Sequence, residues 1–442
     1  AKTHYTDNDR GKLTMFCGTG KTFTLYKIAR KLHSNWIIVF VPSLHLMSQT
    51  IQAWVKFDRC HNYTDRLIYQ ICSNIDFENE KGISRNCETN PNNIKDFLNI
   101  DHSNLTVFCT YQSSIKCFKE ALDQLPNFEN FDLAIFDETH HVAGHQNKTS
   151  QIVEIVPAEK RIFATATERI FKDFSPNDDN NDDSDSQGTY CMNNPEIFGE
   201  EIYNYSMRQA INDNWLTEEE IICAVSDQKL VDFSNSDEWL TFSAKMLKQC
   251  QKKHKFRRIL TYHGGIQKSK KMAEELEKIG IHAFHLDGTM SMKTRLKWIR
   301  EFVEYDGVCV ICSANVLNEG IDIPAVDAIM FVDARQSKIN IAQCMGRSLR
   351  KYPGKERAYI IIPGLIDIEY ILENRDSDLE ELKCIPAFLQ LISILRAVQA
   401  QDYMIKDEII KNLGTKDRKE LMNVSFHIDT KIKNIPEILD DK

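Results

Sequence analysis

The apolar positions of this chain fall into short unbroken runs, separated by stretches with a three-to-four-residue rhythm. Leu13–Phe16, Trp36–Pro42, Leu105–Thr110, Phe131–Phe136 and Lys160–Thr165 read as strands, most of them too apolar to keep one face in water. Phe23–Leu32 and Leu46–Phe57 carry helical spacing, and residues 58–103 mix helix with polar loop around the Asn-rich Asn86–Asn93. Strands alternating with helices predict a parallel sheet with its site along the carboxyl edge. Ser175–Gly188 holds five Asp and three Asn with almost nothing apolar, and so predicts a solvated loop, a tolerated insertion rather than an arm competing with nucleic acid. Asn194–Leu216 finishes the first domain, and a boundary near residues 217–255 leads to a second alternating series. Its strands are Arg257–Tyr262, Ala283–Leu286, Val308–Cys312, Ala328–Val332 and Ala358–Ile362, with helices such as Lys268–Ile279 and Met292–Phe302 between them. Ala387–Tyr403 and its flanks are spaced as helix. The expected fold class is therefore α/β, in two tandem domains of parallel sheet flanked by helices over 1–216 and 217–365, with a helical C-terminal extension over 366–442.

Polar residues gather where these strands end. After Leu13–Phe16 the chain runs Cys17-Gly18-Thr19-Gly20-Lys21-Thr22 into a helix. A strand, a glycine turn and a helix make a phosphate cradle, in which main-chain N–H groups and the helix N-terminus face an anion and the lysine adds a point charge. The strict motif has Gly where this chain has Met15; Gly18 and Gly20 still supply the turn. Phe131–Phe136 delivers Asp137-Glu138-Thr139-His140 at its tip. There Asp137 can hold Mg²⁺ through its water shell, and Glu138 can take a proton from an attacking water. Further on, Arg347 and Arg350 are spaced to share one face of a helix with Gln343 one turn away, and paired arginines are the groups that neutralise transition-state charge in phosphoryl transfer.

Composition narrows the setting. With 42% hydrophobic and 27% charged residues over 442 positions, the chain can bury two or three cores. No stretch has the length and apolarity of a membrane span, and no signal peptide opens the sequence, which begins with Ala as a processed chain or a piece of a longer one would. The formal net charge of -9 gives no general attraction to nucleic acid, so such binding needs a local basic cleft. The thirteen cysteines are scattered, as free thiols in a reducing, cytoplasmic compartment are. His140, His141 and His145 cluster, but Asp137-Glu138 already accounts for the first of them and Gly144 weakens a helix there. Cys309 and Cys312 lie on a strand and point to opposite faces, against a shared redox or zinc role.

Taken in order, these motifs resemble the superfamily 2 helicases of the Asp-Glu-x-His type, from about Gly11 to Pro363. Val41-Pro42-Ser43 with Gln49, Thr110-Tyr111-Gln112, Thr165-Ala166-Thr167, Leu286-Asp287-Gly288 with Arg295, and Asn318-Glu319-Gly320-Ile321-Asp322-Ile323-Pro324 complete the set. The wording of Asn315–Asp322 and Asp333–Ser337 is similar to restriction-enzyme-like helicases and their relatives in large DNA viruses. The resemblance implies two RecA-like domains with ATP and Mg²⁺ as cofactors. It implies that Gly18, Thr19, Gly20 and Lys21 hold the phosphates, with Lys21 on the β- and γ-phosphates, and that Thr22 and Asp137 hold Mg²⁺. Glu138 would act on the water, Gly320 and Asp322 would sense nucleotide, and Gln343, Arg347 and Arg350 would close on the γ-phosphate. His140, Thr165 and Thr167 would couple nucleotide state to a strand groove lined by Pro42, Ser43, Thr110, Gly288 and Arg295. Two departures are plain: little chain precedes the phosphate loop to read the adenine, and Glu168 stands where relatives often have Pro. The activity implied is an ATP-dependent helicase or translocase on nucleic acid, DNA ahead of RNA, acting within a longer polypeptide or a replication, transcription or restriction complex, in host cytoplasm or virion for a viral source. An RNA helicase and a non-hydrolysing scaffold are the alternatives.

Overall fold

A computed structural model describes residues 3–63, 66–73, 87–144, 149–168, 190–227, 236–314, 323, 325–333, 338–366 and 424–429. The chain forms two compact units, residues 1–206 and 207–442. In the first, the strands are β1 (Arg10–Met15), β2 (Trp36–Val41), β3 (Leu67–Ile71), β4 (Cys87–Glu88), β5 (Leu105–Thr110), β6 (Phe131–Asp137), β7 (Ala158–Thr165) and β8 (Glu200–Tyr205). They pair in the order β4-β3-β5-β2-β6-β7-β1-β8, every pair parallel.

The unbroken apolar runs are explained by burial on both faces. Along β2, Ile37, Val39 and Val41 join one core with the helices Lys21–Lys31 and Leu44–Cys60, while Ile38 and Phe40 join another. Leu133 and Ile135 of β6 divide from Ala134 and Phe136 in the same way. On the second face Phe40, Phe136 and Phe163 stack across three neighbouring strands, with ring centroids 5.0 and 4.9 Å apart. The strand β8 differs: Glu200, Glu201, Tyr203 and Asn204 are exposed, as an edge strand permits, and no apolar run marks it in the sequence.

The second unit contains β9 (Glu218–Asp227), β10 (Arg258–His263), β11 (His282–Leu286), β12 (Cys309–Ala314), β13 (Ala328–Phe331), β14 (Arg357–Ile366) and β15 (Val424–Asp429). They form a parallel sheet in the order β11-β12-β10-β13-β14-β9-β15. The helices Ser236–His254 and Ile266–Lys278 cover one face through Trp239, Leu247, Met272 and Leu276. The expectation of two parallel α/β units is met. Within the stretch expected as a helical extension, Val424–Asp429 is a strand paired with Ile221–Ser226, because the exposed edge of β9 offers it a complete ladder. Ala387–Tyr403 and Ser175–Gly188 lie outside the described residues. No helix among the described residues is long and apolar enough to cross a membrane.

The central ring stack sets one expectation for stability. Phe136→Ala should cost about 3–5 kcal/mol, because both neighbouring rings lose a contact face. Ile100→Ala, at a position 56% exposed, should stay within about 0.5 kcal/mol. Urea denaturation, followed through the transition that carries Trp36 and Trp54, measures both.

Candidate nucleotide site

Behind β1 the chain turns through Gly18 (φ +84°) and Gly20 (φ +91°), both in the left-handed region where a side chain would be strained. Thr19 ties the turn to the strand end, its N–H and its hydroxyl both donating to the Phe16 carbonyl (3.3 and 2.7 Å). The helix then begins at Lys21 with Gly20 as its N-cap and no side chain capping it. Its first N–H groups have no partner inside the helix, and Thr22 is the second residue of that end. The strand, glycine turn and helix expected from the sequence are thus formed.

The Lys21 ammonium meets the tip of β6. It bonds to Glu138 Oε1 and lies 3.1 Å from Asp137 Oδ1, with all three side chains largely buried. Burial pulls the ammonium down, but Asp137 and Glu138 more than offset it and hold it above its ordinary value. Burial pushes the Asp137 carboxyl up; Lys21 opposes this and Glu138 adds to it. Glu138 has φ +51° and ψ +51°, a conformation that costs a non-glycine residue about 1–2 kcal/mol. Neighbouring groups hold that tip: the Tyr111 hydroxyl donates to the Asp137 carbonyl (2.8 Å), and the Thr139 hydroxyl donates to Phe136 O (2.7 Å) and Ala164 O (3.2 Å).

The β7 turn joins the same edge. His140 Nδ1 lies 3.2 Å from the Thr165 hydroxyl, which itself donates to Thr167 O (2.8 Å) and accepts from Thr167 N (3.2 Å). Glu168, the departure from the family pattern, pairs with Lys12 at 2.9 Å, so this turn is held by an ion pair between β1 and the end of β7. His140 Nδ1 also lies 3.4 Å from Glu138 Oε2, a buried oxygen that accepts no hydrogen bond among the described residues. That oxygen, the Asp137 carboxylate and the Thr22 hydroxyl are hard oxygen donors of the kind Mg²⁺ takes.

The remaining candidates sit as follows. Pro42 and Ser43 directly follow β2, and the Ser43 hydroxyl accepts from Leu46 N (3.3 Å) as a helix cap. Thr110 ends β5 and bonds Ser113 N and Oγ (3.3 and 2.9 Å). These lie on the carboxyl edge that carries Lys21 and Glu138, since β5, β2, β6, β7 and β1 are successive neighbours. In the second unit Gly288 is exposed just past β11, in a turn fixed by Asp287 accepting from Thr289 N (2.7 Å), and Arg295 Nε donates to Met290 O (3.0 Å). Gln343 and Arg347 are buried on the helix Lys338–Ser348. Arg350 is not on it, contrary to the helical spacing: the chain leaves at Leu349, whose carbonyl accepts from Thr217 N (2.7 Å), and Arg350 forms an antiparallel bridge with Leu216. Gly320 and Asp322, like His145, lie outside the described residues. The sequence reading missed Tyr111 as a holder of the carboxylate tip, although the residue stands inside a quoted motif. It also missed Lys355, whose three carbonyl partners are distant in the chain or hidden in a turn.

Comparison with known families follows this geometry. Residues 1–170 match the family described as "Type III restriction enzyme, res subunit", and residues 220–352 match "Helicase conserved C-terminal domain". The chain belongs to the superfamily 2 helicases. Within them it is related to restriction-enzyme and viral helicases. A protein named "Probable helicase" from African swine fever virus is 23% identical over 402 residues, which is 89% of this chain and 42% of the viral protein. The helicase chain thus spans less than half the length of that relative. Among solved structures, the ATP-dependent Type ISP restriction-modification enzyme LlaBIII bound to DNA shares its fold with a TM-score of 0.75 at 23% identity, over 99% of this chain and 31% of that one. A nuclease-deletion mutant of the Type ISP enzyme LlaGI with a DNA substrate mimic gives 0.64 at 22%, over 96% of this helicase and 29% of that chain. The two parallel units are the tandem RecA-like fold of these enzymes.

The buried ion pair makes a prediction of its own. Lys21→Met leaves two carboxylates without their cation and should destabilise the helicase by up to about 3–5 kcal/mol near neutrality. Without Lys21 the folded Asp137 pKa rises further above its unfolded value, so in that window the folded state holds more protons and the loss shrinks as pH falls. Urea denaturation of variant and parent at about pH 7.5 and about pH 5.5 should show the gap narrowing; a gap that widens on acidification contradicts the pairing.

Proposed function

We propose that this chain is an ATP-driven translocase or helicase acting on DNA, hydrolysing ATP with residues of both units. The observation that carries the reading is the Lys21 ammonium set against Asp137 and Glu138, at the mouth of a glycine turn and a helix N-terminus. Phosphate oxygens compete for that ammonium. When ATP enters, Lys21 turns from Glu138 toward the β- and γ-phosphates, and the Glu138 carboxylate is freed to take the proton of the attacking water. The N–H groups of the turn and the helix end meet the phosphate charge. Mg²⁺, when bound, would be held by Thr22 and Asp137 and would neutralise the β- and γ-oxygens.

His140 bridges Glu138 and the Thr165 turn, so a change at the carboxylate reaches the end of β7 through two contacts. This is the path by which nucleotide state would reach the strand groove at Pro42, Ser43 and Thr110, with Gly288 and Arg295 contributing from the second half. We assign the halves to residues 1–216 and 217–365, with Arg347 and Arg350 of the second supplying positive charge to the transition state, Gln343 closing on the γ-phosphate beside them, and Gly320 and Asp322 sensing nucleotide. DNA is preferred over RNA because the two Type ISP relatives were solved with DNA or a mimic of it. The reading places the protein in a non-membrane setting, as one part of a larger replication, transcription or restriction machine.

Steady-state ATPase assays with DNA test the assignment. Glu138→Gln should keep ATP binding, since Lys21 and the turn are untouched, while turnover falls by about 10²–10⁴-fold through loss of the base. Lys21→Ala should weaken binding as well. Turnover unchanged in Glu138→Gln would overturn the site.

A further inference from the structure

Arg350 lies beyond the end of its helix, and a lysine adds to the bridge with Leu216 in fixing the main chain that carries it. Leu349 N still donates to Met345 O (3.1 Å), and then the helical pattern stops. Beneath this exit lies Lys355, presented by a turn in which Lys355 N donates to Tyr352 O (3.0 Å) and Gly354 takes φ +81°. Lys355 Nζ donates to three main-chain carbonyls: Val326 (2.6 Å), Arg350 (2.8 Å) and Ser348. Ser348 is the last residue of the helix, so its carbonyl is one of those left without an intrahelical partner, at the negative end of the helix dipole. Val326 leads into β13, a central strand of its sheet. One ammonium thus joins the approach to β13, the end of the helix Lys338–Ser348 and the carbonyl of Arg350.

We propose that Lys355 is a positioning residue for ATP hydrolysis: it clamps the main chain on both sides of Leu349 so that Arg347 and Arg350 are aimed before a nucleotide meets them. This rests on the reading above, in which those arginines meet charge that develops in the transition state. The clamp does not touch nucleotide. Its loss should therefore leave ground-state binding nearly intact and appear in turnover, since small displacements of charged groups lower rate far more than affinity.

The charges around the clamp make it sensitive to pH. Burial, opposed by Asp327 and aided by Arg350, draws the ammonium down to about 8. Asp327 is itself held in place, accepting from Arg257 N and Arg258 N at 2.8 Å each. Below about 8 the protonated Lys355 serves all three carbonyls; above it the amine has fewer donors and no charge. Arginine at this position would keep its charge throughout.

The test is a set of steady-state ATPase measurements on the full chain with DNA, using Lys355→Met, Lys355→Arg, Arg350→Ala and the Lys355→Met/Arg350→Ala double variant, each checked for folding by thermal melting. Lys355→Met should lower kcat by about 10- to 100-fold with KM for ATP within about twofold. Lys355→Arg should keep most of kcat and lose the decline that the parent shows as pH rises through about 8. In the Arg350→Ala background, Lys355→Met should lower kcat by less than it does alone, because only Arg347 is left for it to position. Effects that multiply as independent ones, or a Lys355→Met variant that changes KM alone, overturn the inference. Where Lys355→Met fails to fold, the comparison of parent and Lys355→Arg decides: identical pH profiles through this range overturn it. An Arg350→Ala variant with parental turnover instead overturns the arginine reading, and the clamp's role with it.

Discussion

Two carboxylates at consecutive positions on the end of a buried strand lose water together and repel one another. Asp137 and Glu138 are held there by the Lys21 ammonium, brought from the other side of β7 by the turn after β1. The rest of the first unit can be understood as what keeps these three groups at contact distance. The two-faced core fixes β6 against its neighbours, Tyr111 and Thr139 hold its last carbonyls, and the positive-φ glycines let the helix start where its lysine can reach. The strain at Glu138 is confined to one residue, with the surrounding bonds determining it.

The second unit uses the same device in another place. A partly buried lysine satisfies carbonyls that a helix end would leave open, and the residue of interest is placed by main chain rather than by side-chain packing. The consequence is a difference in kind between the units. Charge in the first is paired with charge, so it responds to an incoming anion, whereas Lys355 is bound to neutral carbonyls and answers mainly to its own protonation.

Much of this was legible because burial on both faces removes ambiguity. Trp36–Val41, Leu105–Thr110 and Phe131–Asp137 are mostly apolar, and their limits follow from the sequence to within a residue. The edge strand β8 was not legible, since Glu200, Glu201 and Asn204 face water and leave no pattern. Nor was β9, which begins Glu218-Glu219-Glu220 yet lies between β14 and β15. Strand order is decided by long-range pairing that no local window contains. The glycine turn and the carboxylate pair were legible as motifs, because each needs particular residue types at adjacent positions. The position of Arg350 was not: spacing continues a helix past Ser348, but the partners that end it, Leu216 and Thr217, are more than a hundred residues away.

The central claim is that the Lys21–Glu138 site hydrolyses ATP in service of movement on DNA. Turnover of saturating ATP by the full chain, measured without nucleic acid and with single-stranded DNA, double-stranded DNA and RNA of matched length, tests it most directly. The account predicts slow hydrolysis alone, a clear rise with DNA and a smaller response to RNA. A rate that no nucleic acid changes would contradict it.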